Sequence, residues 1–235
     1  MILMQPSVKV AGYGLWGQKV VQKLRHNSDV KQILVLGSKN NQDDLFIRDH
    51  KEFCRIDNVD EFYLCAPPNI NYELCEILLE NNAKNIFIEK PFLATSQQLD
   101  KLEKNIKDKN IQFDYLFVFD KLMPTLRQAI KEKHLIKFSW QKLSKNSDIF
   151  NNLFVHDLAM ILSILEEIEE IKIKKFFKTE TKLAMELSID KSKFKFHYDI
   201  SQNGKNIKKL TINETDFSFL RHRGPKDNLS KSIQT

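Results

Sequence analysis

Glycine is scarce here: six residues in 235. A chain so poor in it has few places for left-handed turns or close backbone approaches, so where glycines cluster they carry meaning. Three of the six, Gly12, Gly14 and Gly17, fall within one short stretch. Cysteine is sparser still. Cys54, Cys65 and Cys75 are odd in number and lack metal-ligand spacing. That excludes a disulfide-stapled scaffold and a metal site, and points to free thiols in a reducing compartment. No apolar run approaches the roughly 18 residues needed to span a bilayer. Residues 1–7 carry neither a basic leader nor a long apolar core, so a cytoplasmic location with no membrane partner is expected. The net charge is +6, but the lysines are scattered and no nucleic-acid-binding module accompanies them. A general attraction for anionic ligands explains that balance, and no nucleic-acid partner is expected.

What is present begins at Val8. The apolar run Val8-Lys9-Val10-Ala11 meets Gly12-Tyr13-Gly14-Leu15-Trp16-Gly17 and passes straight into a helical pattern. Strand, Gly-x-Gly-x-x-Gly and helix in that order form the phosphate-binding turn of a dinucleotide fold. The first glycine permits the tight turn, the second lets backbone approach a pyrophosphate, and the third lets the helix sit against the strand. Unpaired N–H groups at the helix start then face the phosphates.

Residues 31–36 read as a second strand, stopping at Gly37-Ser38-Lys39-Asn40. An acidic residue at that tip would hold the 2′-hydroxyl of NAD. None is there; Ser38 and Lys39 offer a hydroxyl and a cation, which suit a 2′-phosphate and favour NADP. Asp43 and Asp44 follow a little later and keep NAD open. A short third strand is expected around Phe53, and clearer strands at 62–65, 85–88 and 112–119, with helices at 72–82 and 97–108 between them. This alternation predicts a doubly wound parallel sheet. The second half changes character. A helix at 123–133, a strand at 136–143 and an apolar helix at 153–171 precede four lysine-edged strands between Lys172 and Ile212. The fold class expected is therefore α/β: an N-terminal Rossmann dinucleotide-binding domain, residues 1–120, then a smaller α+β domain, residues 121–235, with a mainly antiparallel sheet. Phe176, Phe177, Phe194 and Phe196 read as its core, His26, His50, His134, His197 and His222 as solvated or structural, and residues 228–233 as the start of a further helix.

Four landmarks make the chain resemble the Gfo/Idh/MocA family of nicotinamide-dependent oxidoreductases, with a shortened C-terminal domain. They are Gly12-x-Gly-x-x-Gly17, Ala66-Pro67-Pro68 before a helix, Glu89-Lys90-Pro91 at a strand end, and His156-Asp157-Leu158 opening a helix. The resemblance covers about residues 6–165. It implies an NAD(P)-dependent dehydrogenase or reductase acting on a small-molecule hydroxyl or carbonyl: a sugar, nucleotide sugar or polyol. The implied catalytic groups are Lys90 and His156. The cofactor would meet Gly12, Gly14, Leu15, Trp16, Gly17, Ser38, Lys39, Ala66, Pro67, Pro68, Asn71, Glu89 and Lys90. The substrate would meet Lys90, Asn152 and His156. Glu89 reads as an orienting neighbour, and a homo-oligomer through the C-terminal sheet is implied as well. Two positions depart from the family: Asn152 stands where an aspartate is often found one turn before the histidine, and Asn71 replaces a common histidine. These leave open a non-catalytic dinucleotide-binding sensor or scaffold of the same family.

Overall fold

Five residues, Ser7–Ala11 (β1), form the centre of the first sheet, with Val8, Lys9, Val10 and Ala11 all buried. The computed structural model describes residues 7–27, 30, 32–37, 45–57, 59–142, 148–165, 167–200 and 207–219. They divide into two compact units, Met1–Asp114 and Tyr115–Thr235.

In the first unit, β1 pairs with Gln32–Leu36 (β2) on one side and Glu61–Leu64 (β4) on the other. Leu45–Ile47 (β3), Asn85–Glu89 (β5) and Asn110–Asp114 (β6) complete a parallel sheet in the order β3-β2-β1-β4-β5-β6. That is the doubly wound order, with its reversal between β1 and β4. Leu15–Arg25 (α1) lays Gly17, Val20, Val21 and Leu24 against the sheet. Pro68–Glu80 (α3) buries Leu74, Cys75, Leu78 and Leu79. The three cysteines are free thiols.

Three expectations need correction here. The third strand lies at Leu45–Ile47, not around Phe53, which falls in a single helical turn, His50–Phe53 (α2). Local hydrogen bonds decide this. Asp49 caps the turn by accepting from the Lys51 N–H at 2.7 Å, and Lys9 closes its other end. From the middle of β1, the Lys9 ammonium donates to the carbonyls of Glu52, Phe53 and Arg55 at 3.0, 2.9 and 2.8 Å. A buried cation thus satisfies helix-end acceptors that would otherwise be orphaned. Phe53 then packs edge-on to Phe62 at 5.9 Å. The next helix, Ser96–Glu103 (α4), starts at a Thr95–Gln98 capping box but ends five residues before 108. The chain leaves it through Asp108, held at φ 62. Finally, β6 stops at Asp114, and Leu116–Phe119 is a 3-10 turn rather than strand.

The second unit opens, after that turn, with Met123–Lys131 (α5) and Leu135–Gln141 (β7). A π-helical turn, Phe150–Phe154, runs into Val155–Leu162 (α6). The expected helix to residue 171 is cut short. Four glutamates within residues 166–170 put like charges at helical neighbour spacings, which opposes continuation. Ile171–Lys178 (β8), Lys182–Ile189 (β9), Ser192–Asp199 (β10), Ile207–Ile212 (β11) and Thr215–Ser218 (β12) follow. The sheet order is β12-β11-β7-β10-β9-β8, antiparallel except where β10 lies parallel to β7. The strand β12 was not foreseen. It closes a hairpin through Asn213 and Glu214, both at positive φ, without the glycine that would have signalled the turn.

Phe194 and Phe196 are core residues, and the Phe138 and Phe196 rings stack at 5.5 Å. Phe176 and Phe177 are not: they are 54% and 56% exposed. Among the described residues their strand, β8, is an edge paired only with β9, and all eight of its residues are exposed. Among the described residues no helix is long and apolar enough to cross a membrane. The helix expected at 228–233 lies outside the described residues.

Candidate functional site

The carboxyl ends of β1 and β4 meet where the strand order reverses, and the glycine turn sits there. Gly12 has φ +89, and a Cβ on it would lie 2.6 Å from the Cys65 carbonyl oxygen. A Cβ on Gly17 would lie 1.9 Å from the Gly12 carbonyl oxygen, so α1 cannot keep this position with any side chain there. Gly14 is different: a Cβ built on it meets no protein atom within 4 Å. Gly14 is also the N-cap of α1, with no side-chain cap and no acidic residue in the first turn. The backbone is therefore bare on one side, next to the uncapped N–H groups of Leu15, Trp16 and Gly17. Those features fit a pyrophosphate. Leu15 is 83% exposed, so its contribution there is its backbone. The Trp16 indole N–H is buried with no hydrogen-bond acceptor among the described residues, and the Lys19 ammonium lies 4.8 Å from the indole ring centre.

Beside the turn lies a cavity of about 330 Å³ lined by Gly12, Leu36, Gly37, Ala66 and Ile70, with Arg48 and His50. Pro67 is the N-cap of α3 and Pro68 is in its first turn. Buried Asn71 accepts from the Ala66 N–H at 3.0 Å through its side-chain oxygen, bracing the bend after β4.

Further along the same edge, β5 ends on Glu89, followed by half-buried Lys90 and a cis Lys90–Pro91 bond. The Glu89 carboxylate accepts from the Lys90 N–H at 2.7 Å. In the sheet register Glu89 stands opposite Asp114 on β6. Burial first, and the Asp114 charge second, push the Glu89 acid up to about 8; Lys90 acts in the other direction. Around neutral pH burial therefore favours the protonated form of Glu89. Burial also drives the Cys65 thiol far upward, with Glu89 and Asp114 adding to it, which makes that thiol unreactive.

In the second unit, His156 lies in the first turn of α6 and is 6% exposed. Aromatic rings surround it: Phe117 at 5.1 Å, Tyr115 and Trp140 each at 6.4 Å. Next to it, fully buried Asp157 pairs with the Lys208 ammonium at 2.6 Å and accepts from the Tyr198 hydroxyl at 2.8 Å. The same ammonium lies 3.5, 4.5 and 4.3 Å from the Phe117, Trp140 and Phe219 ring centres. Two rings, Phe117 and Trp140, therefore touch both His156 and Lys208. Desolvation pushes the Asp157 acid up and the Lys208 ammonium down, and their mutual attraction opposes both shifts. Asn152 belongs to the π-helical turn ahead of α6, and its side chain lies outside the described residues.

Residues 7–116 match the family described as "Oxidoreductase family, NAD-binding Rossmann fold". Over these residues the chain matches the NAD-binding domain of the Gfo/Idh/MocA family. No curated protein matches the chain by sequence. Solved structures share its fold at low identity. UDP-N-acetylglucosamine 3-dehydrogenase GnnA from Acidithiobacillus ferrooxidans is similar with a TM-score of 0.79 and 14% identity, over 99% of this chain and 87% of that one. The WlbA (WbpB) dehydrogenase from Thermus thermophilus, in complex with NAD and UDP-GlcNAcA, gives 0.78 and 10%, over 97% and 86%. Myo-inositol dehydrogenase from Lactobacillus casei, in complex with NAD(H) and myo-inositol, gives 0.76 and 14%, over 92% and 74%.

The Gfo/Idh/MocA landmarks occupy two places. Gly12, Gly14, Leu15, Trp16, Gly17, Ala66, Pro67, Pro68, Asn71, Glu89 and Lys90 belong to the first unit, at the ends of β1, β4 and β5 and the starts of α1 and α3. His156 belongs to the second. Ser38 and Lys39 lie outside the described residues. Sequence reasoning passed over Arg48 and His50 in the cavity wall; locating β3 would have placed both directly after it. It also passed over Lys208, because nothing in a lysine-edged strand marks one lysine as buried.

Two measurements follow from these environments. With its folded value near 8 against an ordinary 4.5, Glu89 contributes stability that is complete below about pH 4.5 and lost as pH rises through about 8. Chemical denaturation across that window should show stability falling by up to about 1.4 kcal/mol per pH unit, and Glu89→Gln should flatten the slope. An unchanged slope in the variant refutes this assignment. Lys208→Met leaves the Asp157 carboxylate buried without its ion pair and should cost about 3–5 kcal/mol, most of it recovered in the double variant Asp157→Leu/Lys208→Met. A single-variant loss under about 1 kcal/mol in urea titration contradicts that account.

Proposed function

We propose that the chain is a cytoplasmic NAD(P)-dependent oxidoreductase moving hydride to or from a hydroxyl or carbonyl carbon of a sugar, nucleotide sugar or polyol. Support comes chiefly from one pairing: the first unit joins a turn that fits a pyrophosphate to a lysine at the carboxyl end of β5. Open α/β sheets take their ligands at that edge. The substrate class rests on the neighbours, which include a UDP-sugar dehydrogenase and a structure holding myo-inositol. Ser38 and Lys39 would favour NADP, although the neighbouring complexes hold NAD.

When bound, the nicotinamide supplies or accepts the hydride. The chain's own residues do the rest. The N–H groups opening α1 hold the pyrophosphate, and the bare backbone at Gly14 lets it come close. The Lys90 ammonium stabilises negative charge on the reacting oxygen and can pass its proton there. His156 is the second group able to take or return a proton, and the rings around it keep water away. Asn152 can hydrogen-bond a substrate but cannot act as a base. That substitution favours a second reading, a dinucleotide-binding sensor or scaffold without turnover.

The second unit's sheet is the proposed surface for a homo-oligomer, since β8 exposes Ile171, Ile173, Phe176 and Phe177. Light scattering should return a mass above one chain, and a strictly monomeric mass at micromolar concentration counts against it.

Binding of NADPH and NADH, followed by nicotinamide fluorescence, comes first; failure to bind either defeats both readings. A screen of sugars, nucleotide sugars and polyols then separates them. The enzyme reading expects turnover that Lys90→Ala lowers by about 10²–10⁴-fold with cofactor affinity retained. Binding without turnover on any substrate supports the sensor.

A further inference from the structure

The cavity beside the glycine turn receives two charged or chargeable side chains, and both come from the segment after β3. Leu36, Ala66 and Ile70 give it apolar walls, suited to the flat faces of an adenine. Arg48 and His50 are the polar side chains among its lining residues. Among the described residues no carboxylate lines it. Asp49, between the two, accepts from the Lys51 N–H at 2.7 Å as the cap of α2. Arg48 is exposed and enters no ion pair among the described residues.

That composition bears on which dinucleotide fits. A ribose with a free 2′-hydroxyl is best met by an acidic acceptor, and the described lining residues include none. A 2′-phosphate is best met by a guanidinium, whose paired N–H groups match phosphate oxygens in a charge-assisted contact. We propose that Arg48 is the residue that receives the 2′-phosphate of NADP, so that the segment after β3 sets cofactor choice. This rests on the dinucleotide-binding reading above and adds to Ser38 and Lys39 a further cation, from the segment after β3. His50 lies in the same wall and can donate a further hydrogen bond to the phosphate.

The test uses the whole chain and equilibrium binding alone. Calorimetry with 2′,5′-ADP and 5′-AMP, and nicotinamide fluorescence with NADPH and NADH, are run on wild type, Arg48→Ala and Lys39→Ala. Wild type should prefer the 2′-phosphorylated member of each pair. Arg48→Ala should lose about tenfold or more in affinity for 2′,5′-ADP and NADPH, while 5′-AMP and NADH stay within about twofold. Because Arg48 is exposed, the variant should melt with wild type, which thermal unfolding checks. Binding of all four ligands with the preference unchanged in Arg48→Ala overturns the assignment, as does a preference lost only in Lys39→Ala. Equal losses for both members of each pair also overturn it. Absence of binding by every ligand in wild type defeats the dinucleotide reading itself, a distinct failure.

Discussion

The approach of α1 to the sheet at Gly12 and Gly17 is the contact on which the first unit depends. A Cβ at Gly17 would stand 1.9 Å from the Gly12 carbonyl oxygen, and one at Gly12 would stand 2.6 Å from the Cys65 carbonyl oxygen. Only hydrogen fits at either place, so the start of α1 sits against the ends of β1 and β4. Everything the first unit offers a ligand follows from that approach. It sets uncapped N–H groups at the switch point, leaves Gly14 open, and places the cavity walls of Leu36, Ala66 and Ile70 beside them. Two of the three clustered glycines, Gly12 and Gly17, are required by this contact, and the third, Gly14, leaves the backbone open.

Desolvation dominates the electrostatics of both units, with opposite results. At the end of β5 two carboxyl groups stand in register, and burial keeps one of them, Glu89, in its neutral form. Lys90 is thereby left as a positive group next to an uncharged neighbour rather than in a tight ion pair. In the second unit the buried charges are matched instead. Asp157 and Lys208 hold each other, with Tyr198 on the carboxylate and three rings around the ammonium. Matching costs desolvation on both ions but leaves a rigid wall of Phe117 and Trp140 beside His156.

Lys9 shows a third solution. Its ammonium pairs with no carboxylate among the described residues and is held by three backbone carbonyls at the end of a one-turn helix. This contact turns the segment around Phe53 into helix and positions the stretch carrying Arg48 and His50 next to β2. A buried lysine in a central strand therefore shapes the cavity wall without touching it.

The local order of residues determined much of this on its own. Strand, glycine turn and helix at the start, a Glu-Lys-Pro at a strand end and a His-Asp opening a helix are short-range patterns, and short-range sterics decide them. The alternation of strands and helices to residue 114 was legible for the same reason, as were four of the five strands after residue 170. Tertiary structure alone decided the rest, because long-range partners overrode local preference. Phe53 is helical through a cap from Lys9, forty-four residues away in the chain. Phe176 and Phe177 look like core but face solvent, since a strand's position at a sheet edge is not written in the strand. Lys208 reads as one more surface lysine until Asp157 and three aromatic rings enclose it. Arg48 and His50 become a cavity wall only once β3 has paired with β2. Which glycine must be small was a matter of sequence; which cations are buried, and beside what, required the fold.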